Sequence, residues 1–480
     1  MSTDILLTTA NARYSHCAFG LLRLWSALGT LRSRARVMEF TLQQGADEMA
    51  EALLRDQPSI IGLGVYIWNV DLMARVMRII KRVRPDIWIV LGGPEITVDS
   101  RLIEEADFAV VGEGEIAFAG LADRLLNGDV PAEKVLVSEP TVLDALPCPY
   151  DAYTDEDIRH RLLYVESSRG CPMRCAFCLS SRDAHMRYFP LPPFLNAMER
   201  LLERGARQFK FTDRTFNVCT SRMHAILQFF LDRAVPDMRL HFEIMPDQLG
   251  EETLKRMALF ASGQLHLEAG LQSVREATQR AIGRFQNVTK SLETIRRLRN
   301  ETGAVLHADL LVGLPGDEVG DVAAGFDALV AAGVQEIQVG LLKCLPGAPI
   351  AARKDLAMQC DPHAPYEVLC TSTLSFECIQ ELKRLARYFD RYYNRGQFTT
   401  SLPMLWADDP SPFNAFKGFA DYLWTREKRT HHIPLARMAE NLYEHLVMTG
   451  RFDAEQVAAA IAQDFYRLAG RRDKLAFLAR

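Results

Sequence analysis

The sequence lacks several features that would assign it to a class at once. It has no run approaching about eighteen apolar residues, so we expect no membrane span. Its first residues lack a basic region followed by a long apolar stretch, so we expect no signal peptide. No internal repeat or low-complexity segment is evident. The formal net charge is only -5 over 480 residues, which disfavours a nucleic-acid surface spread over the whole molecule.

Cysteine is sparse for a chain of this length. The ten cysteines are scattered rather than packed into one segment, so we expect reduced thiols in a cytoplasmic protein, with any clustered ones serving as metal ligands. Four late cysteines are spaced too widely for a compact ligand motif, which favours structural thiols over an auxiliary cluster. These four are Cys344, Cys360, Cys370 and Cys378.

The pattern of strands and helices changes along the chain and predicts an α/β protein. Residues 1–135 alternate strand-like runs with helical patterns, which predicts a doubly wound, Rossmann-like parallel sheet. Residues 136–160 contain three prolines and several acidic residues, and we expect a linker there. Residues 161–350 hold six strand–helix units, which predicts a partial (β/α)6 barrel of TIM type with its site at the carboxyl ends of the strands. Residues 351–480 are expected to form a mostly helical C-terminal domain that covers the barrel.

The strand predictions are specific enough to compare with a structure. The predicted strands of the first domain are Asp4–Thr9, Ala35–Phe40, Ile60–Val65, Ile87–Leu91 and Phe108–Val111. Those of the barrel are Leu162–Ser167, Gln208–Thr212, Leu240–Ile244, Leu265–Ala269, Val305–Val312 and Glu336–Leu342.

Three closely spaced cysteines follow the first predicted barrel strand. Cys171, Cys175 and Cys178 have the pattern Cys-x₃-Cys-x₂-Cys. A four-iron cluster normally takes four thiolates, so three would leave one iron open to the amino and carboxylate groups of a ligand. Phe177, between two of the cysteines, is expected to shield the cluster from water, and Gly170 to let the backbone approach it.

A structural zinc site is the alternative interpretation of this motif. Tetrahedral zinc needs a fourth cysteine or histidine at similar short range. His185 is the nearest candidate after Cys178, and spacing alone does not exclude it.

The cysteine motif resembles the hallmark of the radical S-adenosylmethionine superfamily, which implies a [4Fe–4S] cluster and S-adenosylmethionine as cofactors. Polar residues at the ends of the later strands resemble positions where members of the superfamily contact S-adenosylmethionine. These residues are Asp213, Arg214, Glu243, Glu268 and Gln272. For any one of them, a capping or salt-bridge role is the structural alternative.

The first domain, placed just before such a barrel, resembles an N-terminal cobalamin-binding domain. Small residues after the strands would let the backbone lie against a corrin ring or its nucleotide tail. The residues that carry this resemblance, and that it implies as cobalamin contacts, are Gly62, Gly64, Tyr66, Trp68, Asn69, Gly92, Gly93, Glu95, Gly112, Glu113 and Gly114.

The first domain also departs from the family pattern in two places. The Asp-x-His-x-x-Gly signature that puts a histidine on cobalt is absent. His16 lies in the corresponding loop, but Tyr14 replaces the aspartate that would orient it, so we expect a polar loop role for His16. Gly64 stands where family members often carry a serine that reaches the nucleotide tail.

The resemblance covers most of the chain and is to an uncharacterised branch of the cobalamin-dependent radical enzymes. It implies that an external one-electron donor, of flavodoxin or ferredoxin type, reduces the cluster. S-adenosylmethionine is then cleaved to a 5′-deoxyadenosyl radical, and methylcobalamin methylates an unactivated carbon of the substrate. The expected substrate is a small molecule or a peptide rather than nucleic acid. The alternatives are a cobalamin-dependent radical rearrangement or cyclisation, and a non-catalytic cobalamin- or cluster-binding sensor.

Overall fold

The first domain is a parallel sheet between two layers of helices. The computed structural model describes residues 3–98, 100–468 and 475–478. The strands are β1 (Ile5–Asn11), β2 (Ala35–Thr41), β3 (Ile60–Gly64), β4 (Trp88–Gly92), β5 (Phe108–Val111) and β6 (Val135–Val137). The helices are α1 (Phe19–Ala27), α2 (Ala46–Arg55), α3 (Val70–Val83), α4 (Leu102–Glu105) and α5 (Gly114–Leu126). The strand order is β2-β1-β3-β4-β5-β6, which confirms the doubly wound sheet.

The sequence of each element explains this arrangement. Strands β1 and β3 are buried along their whole length, as expected for a parallel sheet covered on both faces. Helix α3 buries Met73, Val76, Met77 and Ile80, whose spacing of three or four residues gives one apolar stripe. The helices α2 and α3 pack on one face of the sheet, and α1 and α5 on the other, with a separate core on each side.

The segment between the domains contains more structure than a linker. Strand β6 pairs in parallel with β5 and adds an edge to the first sheet, which the sequence analysis missed. Helix α6 (Asp155–His160) begins at Thr154, whose hydroxyl accepts a hydrogen bond from the Asp157 amide. Between β6 and α6 the chain, with its prolines, forms two short 3₁₀ turns, Leu143–Ala145 and Tyr150–Ala152.

The second domain is a partial barrel. Its strands are β7 (Leu163–Val165), β8 (Ser168–Arg169), β9 (Arg187–Tyr188), β10 (Gln208–Phe211), β11 (Arg239–Ile244), β12 (Leu265–Gln272), β13 (Val305–Val312) and β14 (Glu336–Leu341). Its helices are α7 (Leu191–Glu203), α8 (Thr220–Leu231), α9 (Glu251–Met257), α10 (Glu276–Ala281), α11 (Val288–Glu301) and α12 (Val319–Ala331). Six strands form one parallel sheet in the order β14-β13-β12-β11-β10-β7, so the barrel is open between its edge strands β14 and β7.

The barrel strands point polar side chains inward. Burial alternates strictly along β12 and β13, with leucines and alanines packed toward the surrounding helices. The intervening positions, which face the interior, include His266 and Glu268 on β12 and His307 and Asp309 on β13. The barrel therefore encloses a polar space that continues to its carboxyl-end mouth.

The C-terminal region is mostly helical and shares a core with the barrel. It contains the short strands β15 (Gln359–Cys360) and β16 (Val368–Cys370) and the helices α13 (Phe376–Phe389), α14 (Pro412–Glu427), α15 (Leu435–Met448) and α16 (Ala454–Arg467). Phe326 of α12 packs edge-on against Phe389 and Phe413. The C-terminal helices had been expected to cover the mouth of the barrel. They pack instead against its side, at α12 and β14. Among the described residues, no helix is long and apolar enough to cross a membrane.

Candidate functional site

The loop with the three cysteines is fixed at the carboxyl-end mouth of the barrel by contacts on three sides. The Asp213 carboxylate, from the loop after β10, accepts hydrogen bonds from the Ser167 amide and the Ser167 and Ser168 hydroxyls. The Ala176 amide donates to the Ile282 carbonyl, and the Ala176 carbonyl accepts from the Ile350 amide, both at 2.8 Å. The loop is therefore held by segments from three other parts of the barrel.

The three thiols line one cavity of about 170 Å³, which we call the cluster cavity. Cys171 and Cys175 are buried and Cys178 is half-buried, and Phe177 also lines the cavity. A zinc tetrahedron with bonds of about 2.3 Å would need sulfurs about 3.8 Å apart. Within the described residues, the one group of three ligand atoms within 4.8 Å of each other does not include these cysteines. The wider spacing fits a cluster, and His185 is exposed and does not line the cavity.

The glycine before the motif has a different role from the one expected. Gly170 has φ of +89°, and a Cβ there would lie 2.2 Å from the His185 carbonyl oxygen. The Cys171 amide donates to the neighbouring Asp183 carbonyl at 2.8 Å. Gly170 is thus needed because the backbone of Asp183 and His185 passes close to it, and not because it approaches a cluster.

Two residues beside the thiols were not found from the sequence. The Arg284 guanidinium is buried, and its Nη1 lies 3.5 Å from the Cys175 sulfur while Nη2 donates to the Gly270 carbonyl at 2.6 Å. The Thr215 hydroxyl lies 3.4 Å from the Cys171 sulfur. Burial raises the pKa of Cys175, and the charge of Arg284 acts in the opposite direction. No local spacing marks either residue, because Arg284 follows Cys175 by 109 positions.

The wall opposite the thiols carries charges of both signs. Arg214, Glu243, Glu268 and Gln272, all expected at the site, line the cluster cavity together with Asp309. Burial raises the pKa of Glu243 to about 7, although Arg214, 3.5 Å away, acts to lower it. The Asp309 Oδ1 atom lies 3.2 Å from the His307 Nε2 atom. Carboxylates beside a guanidinium fit the amino and carboxylate groups of an amino acid such as the methionine part of S-adenosylmethionine.

Glu268 belongs to a polar layer deeper in the barrel. It accepts a hydrogen bond from His241 at 2.8 Å and lies 3.6 Å from the Lys210 ammonium. Burial acts to raise its pKa, but these partners outweigh that effect and lower the pKa to about 2. Glu268 is therefore ionised at neutral pH. Asp213, in contrast, is 1% exposed and does not line the cavity, so its carboxylate supports the cysteine loop.

A second cavity, of about 370 Å³, lies at the carboxyl ends of the strands of the first domain; we call it the glycine-lined cavity. Seven glycines line it, four of them at strand ends or in the loops that follow. Gly93 has φ of +107°, and a Cβ there would stand 2.5 Å from the Val65 carbonyl oxygen. The expected residues that line the cavity are Gly62, Gly64, Tyr66, Gly92, Gly93, Gly112, Glu113 and Gly114. This bare backbone surface fits a broad, flat ring.

Three residues expected at this cavity lie outside its lining. Asn69 is buried and hydrogen-bonds with Tyr66, Thr9, Ala10 and Gly64, so it fixes the loop after β3. Trp68 donates to a backbone carbonyl and stacks on Tyr66, with ring centroids 4.5 Å apart. Glu95 accepts a hydrogen bond from the Tyr366 hydroxyl and so joins the first domain to the C-terminal region.

His16 also lies away from the glycine-lined cavity. Its Nδ1 is 2.7 Å from the Tyr164 hydroxyl on β7, and burial lowers its pKa. Its position is consistent with the expected polar loop role. Within the described part of the chain, no histidine is among the residues that line this cavity.

The two cavities share one wall. The turn Leu179–Arg182, just after Cys178, presents Ser181 to the cluster cavity and Leu179 and Arg182 to the glycine-lined cavity. Arg169, two residues before Cys171, also lines the glycine-lined cavity and pairs with carboxylates of both domains. Its partners are Glu113, Glu115 and Glu166. The cysteine loop therefore contacts both sites.

The remaining cysteines correct one expectation. Cys344 and Cys360 form a disulfide, whereas reduced thiols had been expected throughout. Eight cysteines are free, and Cys370 and Cys378 are half-buried. The reason for the error is that sixteen residues separate this pair, so only the fold brings the loop after β14 back onto β15.

Three family models match successive parts of the chain. Residues 6–122 match the B12 binding domain, and residues 165–329 match the radical SAM superfamily. A 2-(S-pantetheinyl)-carbapenam-3-carboxylate methyltransferase of Streptantibioticus cattleyicolor is 25% identical over 66% of this chain and 51% of its own length. The chain thus spans about half the length of that relative.

Two solved structures share the fold. The radical S-adenosylmethionine methyltransferase TsrM from Kitasatospora setae, with cobalamin and a [4Fe–4S] cluster bound, aligns with a TM-score of 0.60 at 21% identity. That alignment covers 73% of this chain and 74% of TsrM. The cobalamin-dependent S-adenosylmethionine radical enzyme OxsB aligns over 97% of this chain and 83% of its own, with a TM-score of 0.65 at 14% identity.

A cobalamin-binding sheet followed by a radical SAM barrel, with the two sites sharing one wall, defines the class. Residues 6–122 and 165–329 match the two domains that make up this class, the cobalamin-dependent radical S-adenosylmethionine enzymes, and these domains imply a [4Fe–4S] cluster, S-adenosylmethionine and cobalamin as cofactors. Within this class, residues 354–480 match a family described as a protein of unknown function (DUF4080). The family and the cofactors expected from the sequence are thus confirmed.

Proposed function

We propose that this enzyme transfers a methyl group from cobalamin to an unactivated carbon of a small molecule or peptide. The observation that carries the proposal is the shared wall: the loop with the cysteines lines both cavities, so a substrate held at this wall would contact both cofactor sites. The relative from Streptantibioticus cattleyicolor and TsrM are both named as methyltransferases, which supports methyl transfer over other radical chemistry.

The residues of the cluster cavity would hold the cluster and S-adenosylmethionine. Cys171, Cys175 and Cys178 are the cluster ligands, and Arg284 offsets the negative charge of the buried thiolates. Together, the bound cofactors supply the one-electron chemistry that removes a hydrogen atom from carbon and the methyl group that replaces it. Phe177 and the chain at Ile350, which covers Ala176, exclude water from this side of the cavity.

The charged wall opposite the thiols would orient S-adenosylmethionine. Glu268 is ionised and Glu243 titrates near neutral pH, so either carboxyl can accept a hydrogen bond from an ammonium group. Arg214 is the half-exposed cation on the same wall and would bind the carboxylate. Asp309, which pairs with His307, adds a third carboxyl group to this wall.

The glycine-lined cavity would hold cobalamin against the ends of β3, β4 and β5. Glu113 stays ionised there: burial acts to raise its pKa, but Arg187 and Arg169 lower it to about 2. Within the described residues no histidine lines the cavity, so cobalamin would be held by the glycine backbone and the charged side chains there. We propose an external flavodoxin- or ferredoxin-type reductant and a cytoplasmic location, where an oxygen-sensitive cluster can persist.

The decisive experiment is anaerobic reconstitution with methyl-labelled S-adenosylmethionine and hydroxocobalamin. We expect about four irons per chain, bound corrinoid, and label on the corrinoid before any substrate is added. Cys171→Ala, Cys175→Ala and Cys178→Ala should each lose iron while retaining corrinoid. Cys148→Ala is the matched control, because Cys148 is exposed and distant in sequence from the motif.

Each outcome has a separate meaning. Iron and corrinoid without labelled corrinoid, together with release of 5′-deoxyadenosine, would favour the rearrangement or cyclisation alternative. Zinc that persists after anaerobic reconstitution would overturn the proposal, as would iron retention in all three cysteine variants.

A further inference from the structure

A third and larger cavity lies along β14 on the open side of the barrel. We call it the lateral cavity; its volume is about 1000 Å³. Gln338 and Leu341 of β14 form one wall, and the C-terminal helix α13 with the turn after it forms the other. This is the size of a large ligand pocket rather than of a packing defect. The function proposed above does not use it.

Five basic and three acidic side chains line the lateral cavity, so its lining is cationic on balance. The basic residues are Arg13, Lys383, Arg387, Arg391 and Arg395, and the acidic ones are Glu336, Glu367 and Asp390. Only two have a carboxylate partner: Lys383 contacts Glu367, and Arg395 lies 3.1 Å from Asp390.

The other three guanidinium groups lack a carboxylate. Among the described residues, Arg13 and Arg387 have neither an ion pair nor a side-chain hydrogen bond with the rest of the protein. Arg391 donates through Nη2 to the Ile433 carbonyl at 2.8 Å, and its buried Nε has no partner. Glu336 also lines the cavity, but its ion-pair contacts are with His266 and His307. Among the described residues these three cations therefore have no carboxylate partner, and they repel each other unless an anion binds among them.

The helix geometry keeps these side chains on one face. Lys383, Arg387, Arg391 and Arg395 are four residues apart, a spacing that drifts by about 40° per step around an α-helix. From Asp390 to Asn394 the chain forms a π-helical turn, which is wider and reverses part of this drift. Asn394 exchanges two hydrogen bonds with the backbone of Ile337, which fixes the turn against β14.

The lateral cavity also borders the barrel interior. His307 lines it, and the His307 Nε2 lies 3.2 Å from the Asp309 Oδ1. Asp309 in turn lines the cluster cavity. One pair of side chains therefore separates the cationic cavity from the site of hydrogen abstraction.

We propose that the lateral cavity binds an oxyanion of the substrate, a carboxylate or a phosphate, between Arg13, Arg387 and Arg391. The rest of the substrate would pass through the open side of the barrel toward the cluster cavity. Guanidinium groups pair with a carboxylate or a phosphate through two parallel hydrogen bonds. The cavity therefore predicts an oxyanion, and the experiment below distinguishes a carboxylate from a phosphate. This inference rests on the proposed function, since it names the substrate class of the same enzyme.

The test is calorimetric titration of the reconstituted holoenzyme with inorganic pyrophosphate and, separately, with citrate. We expect saturable binding of at least one probe, weakened by salt. Arg387→Gln and Arg391→Gln should each weaken that binding by about tenfold or more, the loss expected for one charge-assisted contact. Arg384→Gln is the matched control, because Arg384 is on the same helix but lies over the Trp424 ring, outside the cavity.

The probes and the preparations separate the possible results. Tighter pyrophosphate binding assigns a phosphorylated substrate, and tighter citrate binding a carboxylate. The inference is overturned if neither pyrophosphate nor citrate binds. It is also overturned if Arg384→Gln weakens binding as much as Arg387→Gln and Arg391→Gln do. Iron and corrinoid contents of the same preparations show whether the proposed function has failed instead. The Arg391→Gln variant loses a backbone contact and could therefore fold less well. Arg387 is exposed, so Arg387→Gln should fold normally and tests the inference independently.

Discussion

At the scale of single residues, Arg284 is the side chain through which the protein acts on the cluster ligands. Its positive charge, close to the Cys175 sulfur, favours the more negative, reduced state of a cluster. We expect Arg284→Gln to make the midpoint potential more negative by on the order of 50–100 mV, the value of one charge-assisted hydrogen bond. A redox titration followed by electron paramagnetic resonance measures this shift.

Arg280→Gln is the control for that variant. Arg280 is 60% exposed and pairs with Glu276 on the same helix, so its removal changes the net charge equally without contacting the thiols. Equal shifts in both variants would show that Arg284 acts only through overall charge.

A second residue-scale prediction concerns Glu243 and pH. The native carboxyl titrates at about 7, above the ordinary value of 4.5, because it is buried. The folded state therefore binds more protons than the unfolded state between these values, and stability falls as the pH rises through them. Glu243→Gln removes this effect. Its stability relative to wild type should rise by up to roughly 3 kcal/mol between about pH 4.5 and 8.

Urea unfolding of the cofactor-free protein over this pH range measures that difference. Glu252→Gln, at a side chain that is 62% exposed, is the matched control. A difference between Glu243→Gln and wild type that does not change with pH would contradict the burial argument.

The sequence predicted some site residues and not others for a physical reason. The common position of Cys171, Cys175 and Cys178 at one cavity was predictable, because all three lie in one loop with a local spacing. Asp213 was found at the correct strand end, but the sequence does not show that its carboxylate turns back to Ser167 and Ser168. Arg284 reaches the thiols only through the fold.

At the scale of elements, the loop between β4 and α4 depends on one glycine. Gly93 combines a positive φ with a close approach to the Val65 carbonyl. We expect Gly93→Ala to destabilise the first domain by about 1–3 kcal/mol and to reduce the corrinoid bound per chain. Thermal unfolding and corrinoid quantitation are the measurements.

Gly120 provides the comparison within the same domain. It lies inside α5, and a Cβ there meets no atom within 4 Å. Gly120→Ala should be neutral or stabilise the helix by up to about 1 kcal/mol. Loss of corrinoid in both variants would show that the effect of Gly93→Ala is not local.

The elements themselves were largely predictable. Strand Val305–Val312 has its predicted bounds, because it is a mostly apolar run whose fully buried and half-buried positions alternate over eight residues. The missed strand β6 is three residues long and lies at the exposed edge of its sheet, where burial imposes no pattern. The sequence also gave no sign of the π-helical turn after α13, since its position follows from packing against β14.

At the scale of the whole molecule, Arg169 joins the first domain to the barrel. It pairs with Glu113 and Glu115 of the first domain and with Glu166 of the barrel, and Glu115 is buried. Arg169→Gln leaves a buried carboxylate unpaired, which costs roughly 3–5 kcal/mol. We expect lower stability to urea, and faster proteolysis between β6 and α6.

Arg200→Gln serves as the control for the domain contact. Arg200 pairs with Asp151, but both side chains are substantially exposed, so the pair contributes less than about 1 kcal/mol. Comparable proteolysis of the two variants would mean that the Arg169 network does not hold the domains together.

The order of the domains was readable from the sequence, but their contacts were not. Alternating strands and helices predicted both sheets because each unit buries its own apolar run. The wall shared by the two cavities, and the disulfide between Cys344 and Cys360, arise from surfaces that meet only in the folded chain.

The continuous core between the barrel and the C-terminal helices limits how such enzymes can be recombined. Phe389 and Phe413 fill the same apolar interior as Phe326, whereas most buried residues of the first domain form two cores of their own and only a few, such as Cys17 and Leu22, join the barrel core. A gene fusion that exchanged the first domain would disturb mainly polar contacts. One that cut after β14 would expose a large aromatic surface. Barrel and C-terminal region are therefore expected to fold and unfold as one unit.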